Sequence, residues 1–220
     1  MFHYVTDKVF LKESYSVCAD TVNQLVQKLK SYGIQSSMSV VGSKKYDLIT
    51  QNEKEPIDYD FNLWIESAEN INIISDSRQL KATIMEAFNE VLKHKGWGTC
   101  NDSTSALTTK KQVLDKKNKT PFSIDVCIVR NDASGNWYRL IHSKTGYTQN
   151  DQYYWAMGLF VKELEEKENY LRRRYWMKVR KAYLEKKNMY LSRQELNNHS
   201  SYNCYIEAIN EVHNKVSSKV

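Results

Sequence analysis

Asp58, Asp60 and Asp125 are the residues of this chain best suited to chemistry. The first two lie in Ile57-Asp58-Tyr59-Asp60-Phe61, where polar and apolar residues alternate with the period of a strand, so both carboxylates project from one face. Two carboxylates placed in that way can bridge a divalent cation. Phe122-Ser123-Ile124-Asp125-Val126-Cys127-Ile128 repeats the arrangement and sets a single acid inside a second apolar strand. An ionised carboxylate buried there without a partner is strongly destabilising, and a cation is the simplest remedy.

Upstream of these acids a short apolar run, Met38-Ser39-Val40-Val41, ends abruptly in Gly42-Ser43. The order is a strand, Gly-Ser, a polar connection, a strand with Asp-x-Asp, and a later strand with a single Asp. It resembles the DNA polymerase beta-like nucleotidyltransferase superfamily over roughly the first two thirds of the chain, a domain-sized span. The resemblance implies transfer of a nucleoside monophosphate from a nucleoside triphosphate to a hydroxyl or phosphate acceptor, with two Mg²⁺ or Mn²⁺ ions. Such transfer depends on in-line positioning and on neutralising charge on the phosphate oxygens, which two metals held by carboxylates can do. By the same resemblance Asp58 and Asp60 ligate both ions, and Asp125 completes the site of the metal that activates the acceptor. Gly42 lets the backbone approach the phosphates, the amide and hydroxyl of Ser43 donate to them, and Lys44 and Lys45, or Lys54, supply positive charge.

Each piece alone has an ordinary structural reading. An Asp-x-Asp is met as a solvated edge-strand pair, a Gly-Ser as a turn, and a loop lysine as a solvated cation. It is the ordered combination, with apolar residues flanking each acid, that carries the functional reading. The chain departs from the family pattern in the interval from Ser43 to Asp58, which is slightly long and lacks the Arg-Gly often found soon after the Gly-Ser.

The elements that must position these residues are also legible. Val22, Leu25, Val26 and Leu29 share one face of a helix expected over residues 16 to 32, which Gly33 is suited to end. A second helix, opened by Asp76 or Ser77 and closed by Gly96, carries an apolar stripe of Leu80, Ile84, Ala87, Phe88 and Val91. Residues 106 to 110 and the Asp125 strand read as an antiparallel hairpin, followed by a turn and a strand from Trp137 to Ile141. The predicted fold class is α/β (α+β): a nucleotidyltransferase-type mixed β-sheet flanked by helices, with residues 1–148 as catalytic core and 149–220 as a C-terminal helical region packed on it. In that region Leu171, Tyr175, Val179 and Tyr183 recur at helical spacing, Ser192-Arg193-Gln194-Glu195 has the form of a capping box, and Tyr205, Ile206, Ile209, Val212 and Val216 line a last helix.

Composition bounds the remaining classes. A chain of 220 residues, 41% hydrophobic and with only 2 prolines and 7 glycines, can bury a proper core and is unlike a disordered segment. The 4 cysteines and 5 histidines show no paired spacing, which argues for reduced thiols and against zinc. Without an apolar run of membrane length or a signal peptide, the expectation is a cytoplasmic protein that does not contact membranes. The net charge of +6 permits nucleic acid as a partner without requiring it. The lysines at 110, 111, 116, 117 and 119, and the run Arg172-Arg173-Arg174 with Lys178, are the basic concentrations, and both read first as solvated faces. Chain length favours a small molecule or protein as acceptor, with an RNA end or a nucleotide as the other choices. A second functional class is a catalytically silent nucleotide-sensing or nucleic-acid-binding module on the same fold.

Overall fold

A computed structural model describes residues 1–115, 118–158, 162–191 and 199–218. In chain order its elements are β1 (Phe2–Tyr4), α1 (Lys8–Lys30), β2 (Ile34–Val40), α2 (Gly42–Lys45), β3 (Thr50–Asn52), β4 (Ile57–Ala68) and α3 (Ser77–His94). There follow β5 (Asn101–Asp102), β6 (Leu107–Thr108), β7 (Phe122–Asn131), β8 (Trp137–Ser143), β9 (Gln152–Met157), α4 (Lys162–Arg174), α5 (Trp176–Tyr190) and α6 (Ser201–Ser217). Lys116, Lys117 and the capping-box tetrad from Ser192 to Glu195 lie outside the described residues.

The chain divides into two compact units, and their membership is interleaved. One holds Asp7–Asp47 and Pro56–Gly158; the other holds Met1–Thr6, Leu48–Glu55 and the described residues from Lys162 onward. The sheet thus runs past residue 148, since β9 pairs antiparallel with β8 over six positions, from Tyr138↔Met157 to Ser143↔Gln152.

The larger unit is a seven-stranded mixed sheet. Strand β4 lies between β2, antiparallel, and β7, parallel. The far edge of β7 is shared, its first half by β6 and its last residues by β8. Parallel neighbours cannot be joined by a tight turn, and α3 lies in the crossover from β4 to β7. Alternation decides which face is covered. Ile57, Tyr59, Phe61 and Leu63 of β4, with Phe122, Ile124, Val126 and Ile128 of β7, are buried, and so are the inward stripes of α1 and α3. A hydroxyl chain ties α1 to β4: Ser14 Oγ donates to the Phe10 carbonyl at 2.6 Å and therefore accepts from Tyr59, whose Oη is 2.7 Å away. Burial pushes the Tyr59 phenol up to about 12.

Helix α1 begins eight residues earlier than its apolar spacing indicated, at Lys8 rather than 16, because Asp7 caps it by accepting from the Phe10 amide at 2.9 Å. All four cysteines are free and buried.

In the smaller unit β1 pairs antiparallel with β3, and α4, α5 and α6 bury Leu171, Val179, Ala182, Tyr183, Cys204, Ala208, Ile209 and Val212. Asn188 of α5 holds β1 at both backbone groups, accepting from the Phe2 amide at 2.7 Å and donating to its carbonyl at 3.0 Å. The expected single stripe from Leu171 to Tyr183 is divided at Tyr175, whose φ of −123° separates α4 from α5. Tyr175 and Trp176 are half-buried, and the Arg172 guanidinium lies 4.3 Å from the centre of the Trp176 ring. Arg172, Arg173, Arg174 and Lys178 are exposed.

Tyr59→Phe removes the hydroxyl that joins α1 to β4 and is expected to lower stability by about 1 kcal/mol in urea unfolding. An unchanged midpoint would show that the hydroxyl chain contributes nothing net.

Candidate active site

Parallel pairing of β4 with β7 sets Asp58 beside Ser123, Asp60 beside Asp125, and Asn62 beside Cys127. Residues in register across neighbouring strands share a face, so the acids stand together on the face opposite Tyr59, Phe61 and Ile124. Asp58 is exposed while Asp60 and Asp125 are half-buried. Strand β6 approaches from the other side of β7 and pairs Thr108 with Asp125. Three sequence-predicted acids are thereby brought to adjacent positions of two strands.

Each carboxylate has its own surroundings. The Ser123 hydroxyl donates to Asp58 Oδ1 at 2.5 Å, and the Thr108 hydroxyl donates to Asp125 Oδ1 at 2.6 Å. Burial pushes the Asp125 carboxyl above the ordinary carboxylate range; the Thr108 hydrogen bond opposes that shift and the negative Asp58 adds to it. The Cys127 thiol, two residues on, is pushed up to about 11, chiefly by burial.

Gly42 is fixed by the acid it faces. Its φ is +63°, a left-handed conformation, and a Cβ at this position would stand 2.1 Å from Asp60 Oδ2. The Val41 amide donates to the Asp60 carbonyl at 2.9 Å, so the strand-to-α2 turn is pinned against β4. Ser43 and Lys44 follow in α2, half-buried, and Lys45 is exposed. Lys44 Nζ lies 4.6 Å from the centre of the Tyr15 ring, which stacks on Phe61, and Lys45 Nζ lies 5.3 Å from that of Tyr46. Both ammonium groups are therefore engaged with aromatic rings in this conformation. Asp47 leaves α2 with φ +55°.

Hard oxygen donors on one face suit Mg²⁺ or Mn²⁺. Asn62 adds an observation of the same kind: it is 7% exposed, on the face of Asp60, and its Oδ1 is a buried acceptor without a hydrogen-bond donor among the described residues. The residues fit a divalent cation in donor type and in face. Among the described residues, however, no three His, Cys, Asp or Glu side chains are gathered closely enough to hold one.

Ser123 and Asn62 were within reach of the sequence, because each lies two residues from an acid and so shares its face. Thr108 was not, since its place beside Asp125 is set by strand pairing across 17 residues of sequence.

No protein-family model matches the chain, and no curated protein matches it in sequence. Solved structures do match in fold. Vibrio cholerae DncV cyclic AMP-GMP synthase aligns with a TM-score of 0.55 and 15% identity over 82% of this chain and 46% of its own. CdnC of Escherichia coli MS115-1, solved with ATP, gives 0.58 and 10% identity over 94% of this chain and 59% of its own. The Elizabethkingia meningoseptica CdnE cyclic dinucleotide synthase, solved with GTP and Apcpp, gives 0.53 and 15% identity over 90% and 70%. The chain spans about half the length of the first of these synthases. The likeness is one of fold: a mixed sheet flanked by helices, of the nucleotidyltransferase type.

Two expectations follow. Because the folded Asp125 carboxyl holds its proton above the ordinary carboxylate range, the folded state binds more protons than the unfolded chain there, and stability falls as pH rises through that window. In metal-free buffer Asp125→Asn is expected to be more stable than the parent at neutral pH, with the difference closing towards about pH 4. Urea unfolding across pH checks this, and a difference independent of pH would contradict it. Gly42→Ala is expected to cost roughly 1–2 kcal/mol from its left-handed backbone alone, measured by thermal unfolding, and more if Asp60 cannot move aside.

Proposed function

We propose that this protein is a metal-dependent nucleotidyltransferase that moves a nucleoside monophosphate from a nucleoside triphosphate to a hydroxyl or phosphate acceptor. The observation that carries the proposal is the register of β4 on β7, which puts Asp60 beside Asp125 and Asp58 two residues away, all on the face opposite the aromatic core of a nucleotidyltransferase-type sheet. Asp58, Asp60 and Asp125 would hold two Mg²⁺ or Mn²⁺ ions. When bound, the ions supply neutralisation of the phosphate oxygens and lower the pKa of the attacking hydroxyl.

The chain's own groups supply the remainder. Asp125, beside Asp60 across the two strands, is suited to take up the proton of the acceptor hydroxyl. Gly42 leaves open the volume beside Asp60 Oδ2 that any side chain would fill, so backbone can lie close to a triphosphate. The Ser43 amide and hydroxyl can donate to phosphate oxygens, and Lys44 and Lys45 can leave their aromatic partners to add positive charge. ATP and GTP are the first donors to try, because CdnC and CdnE were solved with ATP and with GTP and Apcpp. The fold shared with cyclic dinucleotide synthases supports a nucleotide acceptor, set beside the small-molecule or protein acceptor.

The second reading, a module that binds nucleotide without turning it over, is favoured by the missing Arg-Gly after Gly42-Ser43. One experiment separates the two. The four triphosphates, labelled at the α-phosphate, are incubated with Mg²⁺ or Mn²⁺, with and without cell extract. The parent protein is expected to transfer label, and Asp60→Asn and Asp125→Asn to transfer roughly 100-fold less or none. Transfer by either variant at the parent rate would remove that acid from catalysis. No transfer by the parent, with metal-dependent nucleotide binding intact, would establish the binding module.

A further inference from the structure

Asp125 is held by more than its own strand. The Thr108 hydroxyl donates to its Oδ1 at 2.6 Å, so the single hydrogen of Thr108 is committed there. Ser103 Oγ lies 3.0 Å from Thr108 Oγ1 and must then be the donor to it. The two hydroxyls form a directed chain, from Ser103 through Thr108 to Asp125.

Both ends of that chain are fixed. Next to Thr108, the Thr109 amide donates to the Ile124 carbonyl and the Ile124 amide donates to Thr109 Oγ1, both at 2.9 Å, which locks β6 onto β7 immediately before Asp125. At the other end Lys81 of α3, only 2% exposed, donates to the Ser103 carbonyl at 2.9 Å and pairs with Asp102 Oδ1 at 2.6 Å. Asp102 Oδ2 is 2.8 Å from His142 Nδ1, and His142 Nε2 is 2.9 Å from Asp151 Oδ2. A buried lysine is costly unless paired, and the groups paired here are those of the β5–β6 hairpin.

We propose that Thr108, oriented by Ser103 and by the Lys81 clamp on the β5–β6 hairpin, is a positioning residue that restricts the Asp125 carboxylate and thereby sets its affinity for a divalent cation. The inference rests on the metal-dependent nucleotidyltransferase reading. Hydrogen-bond partners of ligating carboxylates commonly set metal affinity in this way. Valine has the shape of threonine without the hydroxyl, and serine keeps the hydroxyl, so the pair separates positioning from packing.

The test is titration of full-length protein with Mn²⁺, alone and with a non-hydrolysable ATP analogue, followed by electron paramagnetic resonance. The parent is expected to bind and Asp60→Asn to lose binding. Thr108→Val is expected to bind Mn²⁺ roughly tenfold or more weakly, and Thr108→Ser to stay within about threefold of the parent. The Mn²⁺ concentration for half-maximal turnover should move in parallel. Thr108→Val with the parent's affinity, its fold intact by circular dichroism, would overturn the inference and leave the nucleotidyltransferase reading standing. If Thr108→Val does not fold, Ser103→Ala takes its place: weakened Mn²⁺ binding supports the chain and unchanged binding overturns it. A parent that binds no Mn²⁺ in either condition would overturn the underlying reading and the inference with it.

Discussion

The parallel pairing of β4 with β7 is the constraint on which the rest of this molecule depends. It is held by the face that carries no chemistry. Ile57, Tyr59, Phe61 and Leu63 on one strand and Phe122, Ile124, Val126 and Ile128 on the other are buried, so a slip of one residue would turn acids into the core and aromatics into water. Apolar burial therefore fixes, to a single register, which carboxylates become neighbours. The cost of gathering them appears in Asp125, whose burial disfavours the charge that metal binding would need.

Legibility in the sequence followed the range of the interactions. The acid-bearing strands were readable because alternation is a local property, and the same alternation gave the shared face of Asp58 and Asp60. The stripes of α1 and α3 were readable for the same reason, at a period of 3.6 instead of 2. The first turns of α1 were missed because the apolar spacing begins late, although Asp7 is an ordinary capping residue. Strand β9 was hidden by its composition: Gln152-Tyr153-Tyr154-Trp155-Ala156-Met157 alternates poorly and precedes a glycine-free helical region. The interleaving of the two units was out of reach, since the β1–β3 pairing joins segments almost fifty residues apart and leaves no local trace.

Within the candidate site the same division holds. Gly42 could be singled out from the sequence for close approach, but the group it approaches, Asp60, is known only from the fold. Lys44 and Lys45 show the opposite case: their types suit a triphosphate, yet in the structure their ammonium groups sit over the rings of Tyr15 and Tyr46. A cation over an aromatic face is held by about 0.5–1 kcal/mol at exposed sites, which a triphosphate can readily exceed. Their present positions thus do not oppose the role assigned to them.

Likeness of fold at 10–15% identity is what this arrangement of constraints produces. A buried face asks only for apolar side chains of suitable size, and many sequences satisfy it. The opposite face asks for something narrower. Carboxylates must occupy particular registers, a residue without Cβ must stand beside Asp60, and a hydroxyl must face Asp125. Packing can drift while the fold persists, but each of those residues answers to chemistry instead of volume. The sheet can thus be shared widely, and what this chain does with it has to be read from the few positions that its core does not explain.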